Sequence, residues 1–207
     1  MLKEIIFDYD GVLADSDSFT QNAWKHAFKE RALEFNHSIY KKYFAGKTLA
    51  DGLKSYLKTL NKLELFGYLK DQKISYDKYY PRDVVAYKDT LDFILKHKGM
   101  YGFAIASGSR RIHIDSFLQK FKLQGIFNSI LTAEDYNKGK PNPECYLLIL
   151  KALNISPQEA IAVEDSISGV EAAKAAGIKC VALTHTHSAK ELKGADIILE
   201  SMNQLKV

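Results

Sequence analysis

Two aspartates one residue apart, Asp8 and Asp10, stand directly after the apolar run Ile5, Ile6, Phe7. A strand has a period of two, so both acids should leave one face of the chain and Tyr9 the other. Carboxylates held that close repel each other unless a cation or a shared proton lies between them, and their titrations couple. The pair therefore asks for a divalent metal. Gly11 follows at the point where the backbone must turn sharply and a Cβ would clash. Further along, Ser107 and Gly108 follow the apolar run GFAIA, Lys140 lies within KGKPNP, and Glu164 and Asp165 end AIAVED. Four acids, a lysine and a hydroxyl suit phosphoryl transfer through a covalent aspartyl-phosphate. A carboxylate attacks an anionic phosphate only when charge is neutralised, which magnesium held by several oxygens would do. Asp8 is then the nucleophile, and Asp10 protonates the leaving oxygen and later deprotonates the attacking water. Lys140 balances the charge on the nucleophile and the phosphoryl group. The Ser107 hydroxyl and the neighbouring amides, Gly108 among them, cradle the phosphoryl oxygens. Glu164 and Asp165 complete the metal shell.

The elements that must position these residues alternate. Leu2 and Ile5 to Phe7 read as a buried strand. From Thr90 onward helix and strand follow one another. Leu91, Ile94 and Leu95 predict a helix face, Gly102 to Ala106 a strand, and Ile114, Phe117, Leu118 and Phe121 a helix at i, i+3, i+4, i+7 spacing. Ile130 and Leu131 form a short strand, and Lys138 to Pro143 a loop. Cys145, Leu148, Ile149 and Ala152 mark a helix. Ser156, Pro157 and Glu159 have the spacing of a capping box. Ala160 to Val163 is a strand, Ser168 to Ala176 a helix closed by Gly177, and Cys180 to Leu183 and Ile197 to Leu199 are further strands. Such alternation predicts an α/β fold, a parallel sheet with helices on both faces. Ligands of these sheets lie outside the carboxyl ends of the strands, where all the residues above would converge.

Between the first strand and Tyr80 the chain is helical in pattern, at Ser18 to Leu33, Ser38 to Phe44, Leu49 to Leu60 and Lys62 to Lys70. This predicts a helical insertion at 16–80 in a core made of 1–15 and 81–207. The 207 residues, 46% hydrophobic and 26% charged, fit a globular protein with one core and a smaller module. A net charge of +4 is spread among acids and aromatics, without the one-sided clustering of a nucleic-acid binder. No run is apolar enough for a membrane span, and no basic leader precedes the first strand. Cys145 and Cys180 each lie in apolar segments and read as buried thiols. A cytoplasmic monomer acting on a small phosphorylated metabolite is expected, with neither nucleic acid nor membrane as partner. His185 and His187 alternate in the run HTH, but no third ligand of matching spacing accompanies them, so they read as surface residues of a loop.

FDYDGVLADS, the serine of AIASGS, the lysine of GKPNPECY and the acids of VEDSISGVEAAKAAG resemble, in order and spacing, the four motifs of the haloacid dehalogenase superfamily. The resemblance is greatest to the β-phosphoglucomutase-like phosphatases, whose helical cap is inserted after the first strand. It implies a three-layer Rossmann-like core, an all-helical cap, and magnesium held by the Asp8 carboxylate, the Asp10 backbone carbonyl and Asp165, with Glu164 assisting. Singly, each motif has a plainer reading: the acids as turns or helix caps, GKPNP as a loop, Ser107 as an N-cap. The combination is what is specific. The chain departs from the mutase. Thr20 stands where the mutase cap offers a histidine, and Ala45 and Leu49 stand where its cap loop presents basic residues, with Lys47 a partial substitute. Lys88 and Asp89 replace the usual Pro-Gly. Thr20 and Lys47 are the candidate cap contacts. Losing an arginine-like fork for a distal phosphate favours a phosphatase over a sugar phosphomutase, with a non-catalytic binding protein on the same fold as a third reading.

Overall fold

The computed structural model describes residues 1–16, 18–19, 25, 28–29, 31–43, 49–67, 80 and 82–206. They divide into two compact units, Met1–Asp15 with Val85–Val207, and Ser16–Val84. In chain order the elements are β1 (Glu4–Phe7), α1 (His37–Tyr43), α2 (Leu49–Thr59), α3 (Lys88–His97), β2 (Gly102–Ala106), α4 (Arg111–Lys120), β3 (Ser129–Leu131), α5 (Glu144–Leu153), β4 (Ala160–Glu164), α6 (Ile167–Ala175), β5 (Lys179–Leu183) and β6 (Ile197–Leu199).

The larger unit is one six-stranded sheet in the order β3-β2-β1-β4-β5-β6, with every pairing parallel. Its strands are continuous apolar runs because both faces are covered. On one face Ile6, Ala104, Ala106 and Ala162 pack with Tyr146 and Ile149 of α5 and Val170 and Ala173 of α6. Small alanines in the strands let these helices approach closely. On the other, Phe7 meets Phe103 and Phe127 edge-on at 5.8 and 6.5 Å. β1 is central, and its register sets Phe7 beside Ile105 of β2 and Val163 of β4. The next residues of those three strands, Asp8, Ala106 and Glu164, thereby reach one level. The chain order along the sheet changes direction between β1 and β4, the crevice where ligands of open α/β sheets bind.

The predicted elements lie within three residues of those observed in this unit, with two differences. β1 stops at Phe7, so Asp8 and Asp10 stand in the turn beyond the strand and do not alternate along it. In α3 the buried positions are Thr90, Phe93 and Ile94, while Leu95 is 57% exposed. Phe93 packs at a tilt against His97 one turn on, ring centroids 4.1 Å apart, and so draws the buried stripe away from Leu95. Asp89, one of the two departures noted above and part of the first turn of this helix, accepts from Ser201 Oγ at 2.7 Å and Met202 N at 2.8 Å, which ties α3 to the turn near the C-terminus. Cys145 and Cys180 are buried free thiols. None of the described helices is long and apolar enough to cross a membrane.

The smaller unit has its own aromatic core. Phe28 lies 4.9 Å from Phe35 and 5.6 Å from Tyr56, over Leu53 and Leu57. Tyr56 closes it by donating to the Glu34 carbonyl at 2.6 Å. Of the predicted helix Ser18 to Leu33, the residues Ser18, Phe19, Lys25, Phe28 and Lys29 are helical. Within Lys62 to Lys70 the described part is a 3-10 turn, Leu63–Leu65, followed by helical Phe66 and Gly67.

Glu4, at the opposite end of β1 from the acids, is 5% exposed and accepts from Asn128 Nδ2 at 3.2 Å. Burial raises its carboxyl above the ordinary value, against the effect of the Asn128 bond. A raised carboxyl contributes stability below its unfolded pKa and loses that contribution as pH rises through its folded one. Glu4→Gln is therefore expected to raise the urea unfolding midpoint near about pH 7.5 and to lose most of that gain near about pH 4.

Candidate active site

Asp8 is held at the end of β1 by its amide, which donates to the Val163 carbonyl at 2.9 Å. Gly11 then turns the chain at φ +74°, and its amide donates to Ala14 O at 2.9 Å. A Cβ on Gly11 would come within 1.9 Å of Asp165 Oδ2, so the residue is required both by its conformation and by that close approach. Glu164 ends β4 and Asp165 follows it. Ser166 caps α6 by accepting from Gly169 N at 3.1 Å. A Cβ on Gly169 would fall 1.9 Å from Glu164 Oε2, so a glycine in the first turn of α6 makes room for the acid.

Lys140 reaches these acids from a loop built by side chain to backbone bonds. Asp135 accepts from Thr132 N and Oγ1 at 2.8 and 2.7 Å. Glu144, at the start of α5, accepts from the amides of Asn137 and Lys138 at 3.1 and 2.8 Å. The loop delivers Lys140 Nζ to Asp8 Oδ1 at 2.9 Å, Glu164 Oε1 at 2.6 Å and the Ala106 carbonyl at 3.0 Å. All three ammonium protons have acceptors there. Tyr146, from α5, donates to the same Glu164 oxygen at 2.6 Å.

Carboxylate oxygens of Asp8, Glu164 and Asp165 lie within 4.8 Å of one another, and all three residues are buried. Burial, then Asp8 and Glu164, push the Asp165 carboxyl well above its usual range. Burial also raises Glu164, to about 7, against the pull of Lys140. Burial alone would lower the Lys140 ammonium, but Asp8 and Glu164 outweigh it and hold it well above its ordinary value. Three buried carboxylates share one lysine, and the excess negative charge fits a hard divalent cation with oxygen ligands.

The Asp10 carboxylate is directed elsewhere: Ser109 Oγ donates to its Oδ2 at 2.5 Å. Of the predicted metal set, the side chains of Asp8, Glu164 and Asp165 are gathered, while Asp10 was expected to contribute its backbone carbonyl and its side chain bonds Ser109. Ser107 is fully buried, and its Oγ accepts from Ser109 N at 2.9 Å. Its carbonyl accepts from Tyr136 Oη at 2.9 Å, and Gly108 beside it is exposed. Thr20 and Lys47 lie outside the described residues.

Sequence reasoning missed Ser109, Tyr136 and Tyr146 as site residues, and it read the HTH run as surface residues of a loop. Ser109 was legible, since a second hydroxyl stands two residues past Ser107. The histidines are half-buried and not simply surface residues. Nδ1 of His185 lies 2.7 Å from the Gly11 carbonyl, and Nδ1 of His187 lies 3.0 Å from that of Asp165. They join site loops by hydrogen bonds, for which no ligand spacing is needed.

Validoxylamine A 7'-phosphate phosphatase of Streptomyces hygroscopicus subsp. limoneus is 27% identical over 100% of this chain and 97% of its own length. β-Phosphoglucomutase of Bacillus subtilis (strain 168) is 26% identical over 99% of this chain and 92% of its own. The crystal structure of β-phosphoglucomutase from Clostridium difficile superposes with a TM-score of 0.74 at 24% identity, covering 100% of this chain and 94% of that one, which supports the fold. The family model of the haloacid dehalogenase-like hydrolases matches residues 5–183, and with the strand order and the acidic site in agreement the chain belongs to that family, with β-phosphoglucomutase among its relatives.

Proposed function

We propose that the chain is a magnesium-dependent phosphatase of a small phosphorylated sugar or similar metabolite, working through a phosphorylated Asp8. The observation that carries this reading is Lys140 bridging Asp8 and Glu164 beside Asp165 in one buried cluster. Asp8 and Asp165, with Glu164 adjacent, would hold magnesium, which when bound would neutralise the phosphoryl and carboxylate charges. Asp8 attacks phosphorus, forming an O–P bond as the ester P–O bond breaks. Asp10, its carboxylate rotation fixed by Ser109, gives its proton to the leaving oxygen. A water then loses a proton to Asp10 and attacks the same phosphorus, the Asp8–P bond breaks, and inorganic phosphate leaves. Lys140 stays protonated throughout, because two carboxylates face it, and it holds Asp8 in position. The helical unit of Ser16–Val84 is read as the cap that selects the ester.

The names of the relatives favour a phosphorylated sugar-like substrate and keep a sugar phosphomutase as the second reading. Release of inorganic phosphate from a panel of sugar phosphates, with magnesium and with EDTA, tests the proposal. Phosphate should appear only with the metal. Interconversion of hexose phosphates without phosphate release would select the mutase, and neither activity on any ester would remove both.

A further inference from the structure

Residues 184–187, just past β5, touch both loops that supply the acidic cluster. The Thr186 hydroxyl donates to Asp165 Oδ2, and it also lies 3.1 Å from the Asp165 carbonyl. His187 Nδ1 is 2.9 Å from Thr186 Oγ1 and 3.0 Å from the Asp165 carbonyl. A carbonyl oxygen only accepts, so Nδ1 of His187 carries the proton. Thr186 has a single hydroxyl proton, and Oδ2 is its nearest acceptor. The Nδ1–H of His187 is then shared between the Asp165 carbonyl and Thr186 Oγ1, and Thr186 Oγ1–H donates to Asp165 Oδ2. By the same rule His185 Nδ1–H donates to the Gly11 carbonyl at 2.7 Å. Its ring stacks on Tyr87 at 3.9 Å and 11°, and Tyr87 N in turn donates to Leu13 O at 3.0 Å. Gly11 is the residue that lies against Asp165 Oδ2, with no room for a Cβ between them. One short loop therefore grips the turn after Asp8 by its backbone and Asp165 by its carboxylate.

We propose that Thr186, backed by His187, is a positioning residue that sets the Asp165 carboxylate for the divalent cation, while His185 holds the Asp8 turn in register with it. This rests on the metal reading given above. The two arms restrict Asp165 on one side and Gly11 on the other, so that the carboxylate meets a cation without first reorganising. Outer partners of metal-binding side chains act in this way, fixing orientation while standing outside the ligand set.

Calorimetric titration of the full chain with Mg2+ alone, without substrate, reads the effect directly. Thr186→Val removes the hydroxyl at nearly constant volume and is expected to weaken Mg2+ binding by about 10–100-fold. Thr186→Ser restores the donor and should bind within about threefold of the wild type. Thr186 is exposed, so the fold is not at stake, and circular dichroism of each variant verifies this. Equal Mg2+ affinity in Thr186→Val and wild type would overturn the proposal while leaving the phosphatase reading intact. Equal loss in the Val and Ser variants would overturn it too, since the hydroxyl would not be the cause. No Mg2+ binding by the wild type would remove the metal reading and this proposal with it.

Discussion

Asp8→Asn is expected to lower kcat for phosphate release by about 10³-fold or more while the protein remains folded. The substitution changes no volume, and Lys140 keeps its bonds to Glu164 at 2.6 Å and to the Ala106 carbonyl at 3.0 Å. What is lost is the anionic oxygen that must attack phosphorus, and an amide oxygen is far less nucleophilic. The loss should fall on kcat and persist at saturating substrate. Asp10→Asn offers a contrast. It removes an acid–base group and not the attacking atom, and about 10²–10⁴-fold is expected there. Because Ser109 can still donate to the amide oxygen of the substituted side chain, its turn should stay in place. Steady-state phosphate release by the two variants, each checked by urea unfolding, distinguishes the roles. Activity of Asp8→Asn within about tenfold of the wild type would move the nucleophile to another residue.

The sheet could be read from the chain because each strand is an apolar run that stops at a polar residue: GFAIA at Ser107, AIAV at Glu164 and Asp165. Parallel pairing and the convergence of these ends then follow from the alternation with helices. The internal wiring of the site could not be read in the same way. Nothing in KGKPNP says that its lysine bridges two acids from different strands. That depends on Glu144 folding the loop back onto the start of α5, a contact between side chain and backbone with no periodic signature. Tyr146 stands within the helix marked by Cys145, Leu148, Ile149 and Ala152 but is not one of those marker positions, and its hydroxyl serves Glu164. The HTH run was weighed as a ligand pair and set down as a surface loop, and its contacts to carbonyl acceptors have no spacing to recognise. Leu95 erred for a local reason, since an i, i+3, i+4 stripe fits more than one rotation of a ten-residue helix and Phe93 with His97 decided between them. Gly11 was legible because its turn was argued from sterics, and the structure adds the second obstruction, Asp165.

Lys140→Met is expected to cost about 3–5 kcal/mol of stability and to abolish most phosphate release. The Lys140 side chain is 10% exposed, and its ammonium lies between the 11% exposed Asp8 and the fully buried Glu164 side chains. Removing it leaves two carboxylates facing each other, with Asp165 adjacent, in a medium that solvates none of them well. A methionine of similar length fills the space but supplies no compensating charge. If the loss arises from uncompensated charge, then Glu164→Gln in the same chain should return about 1–3 kcal/mol, since the amide that replaces the acid still accepts from Tyr146 and carries no charge. The double variant should nevertheless stay inactive, because Asp8 still lacks the cation that holds it against an incoming phosphate. Urea unfolding of both variants without metal, alongside phosphate release with metal, separates the two contributions. A Lys140→Met protein as stable as the wild type would mean that the lysine does not compensate these acids. Recovery of activity in the double variant would reduce Lys140 to a counterion for Glu164 alone.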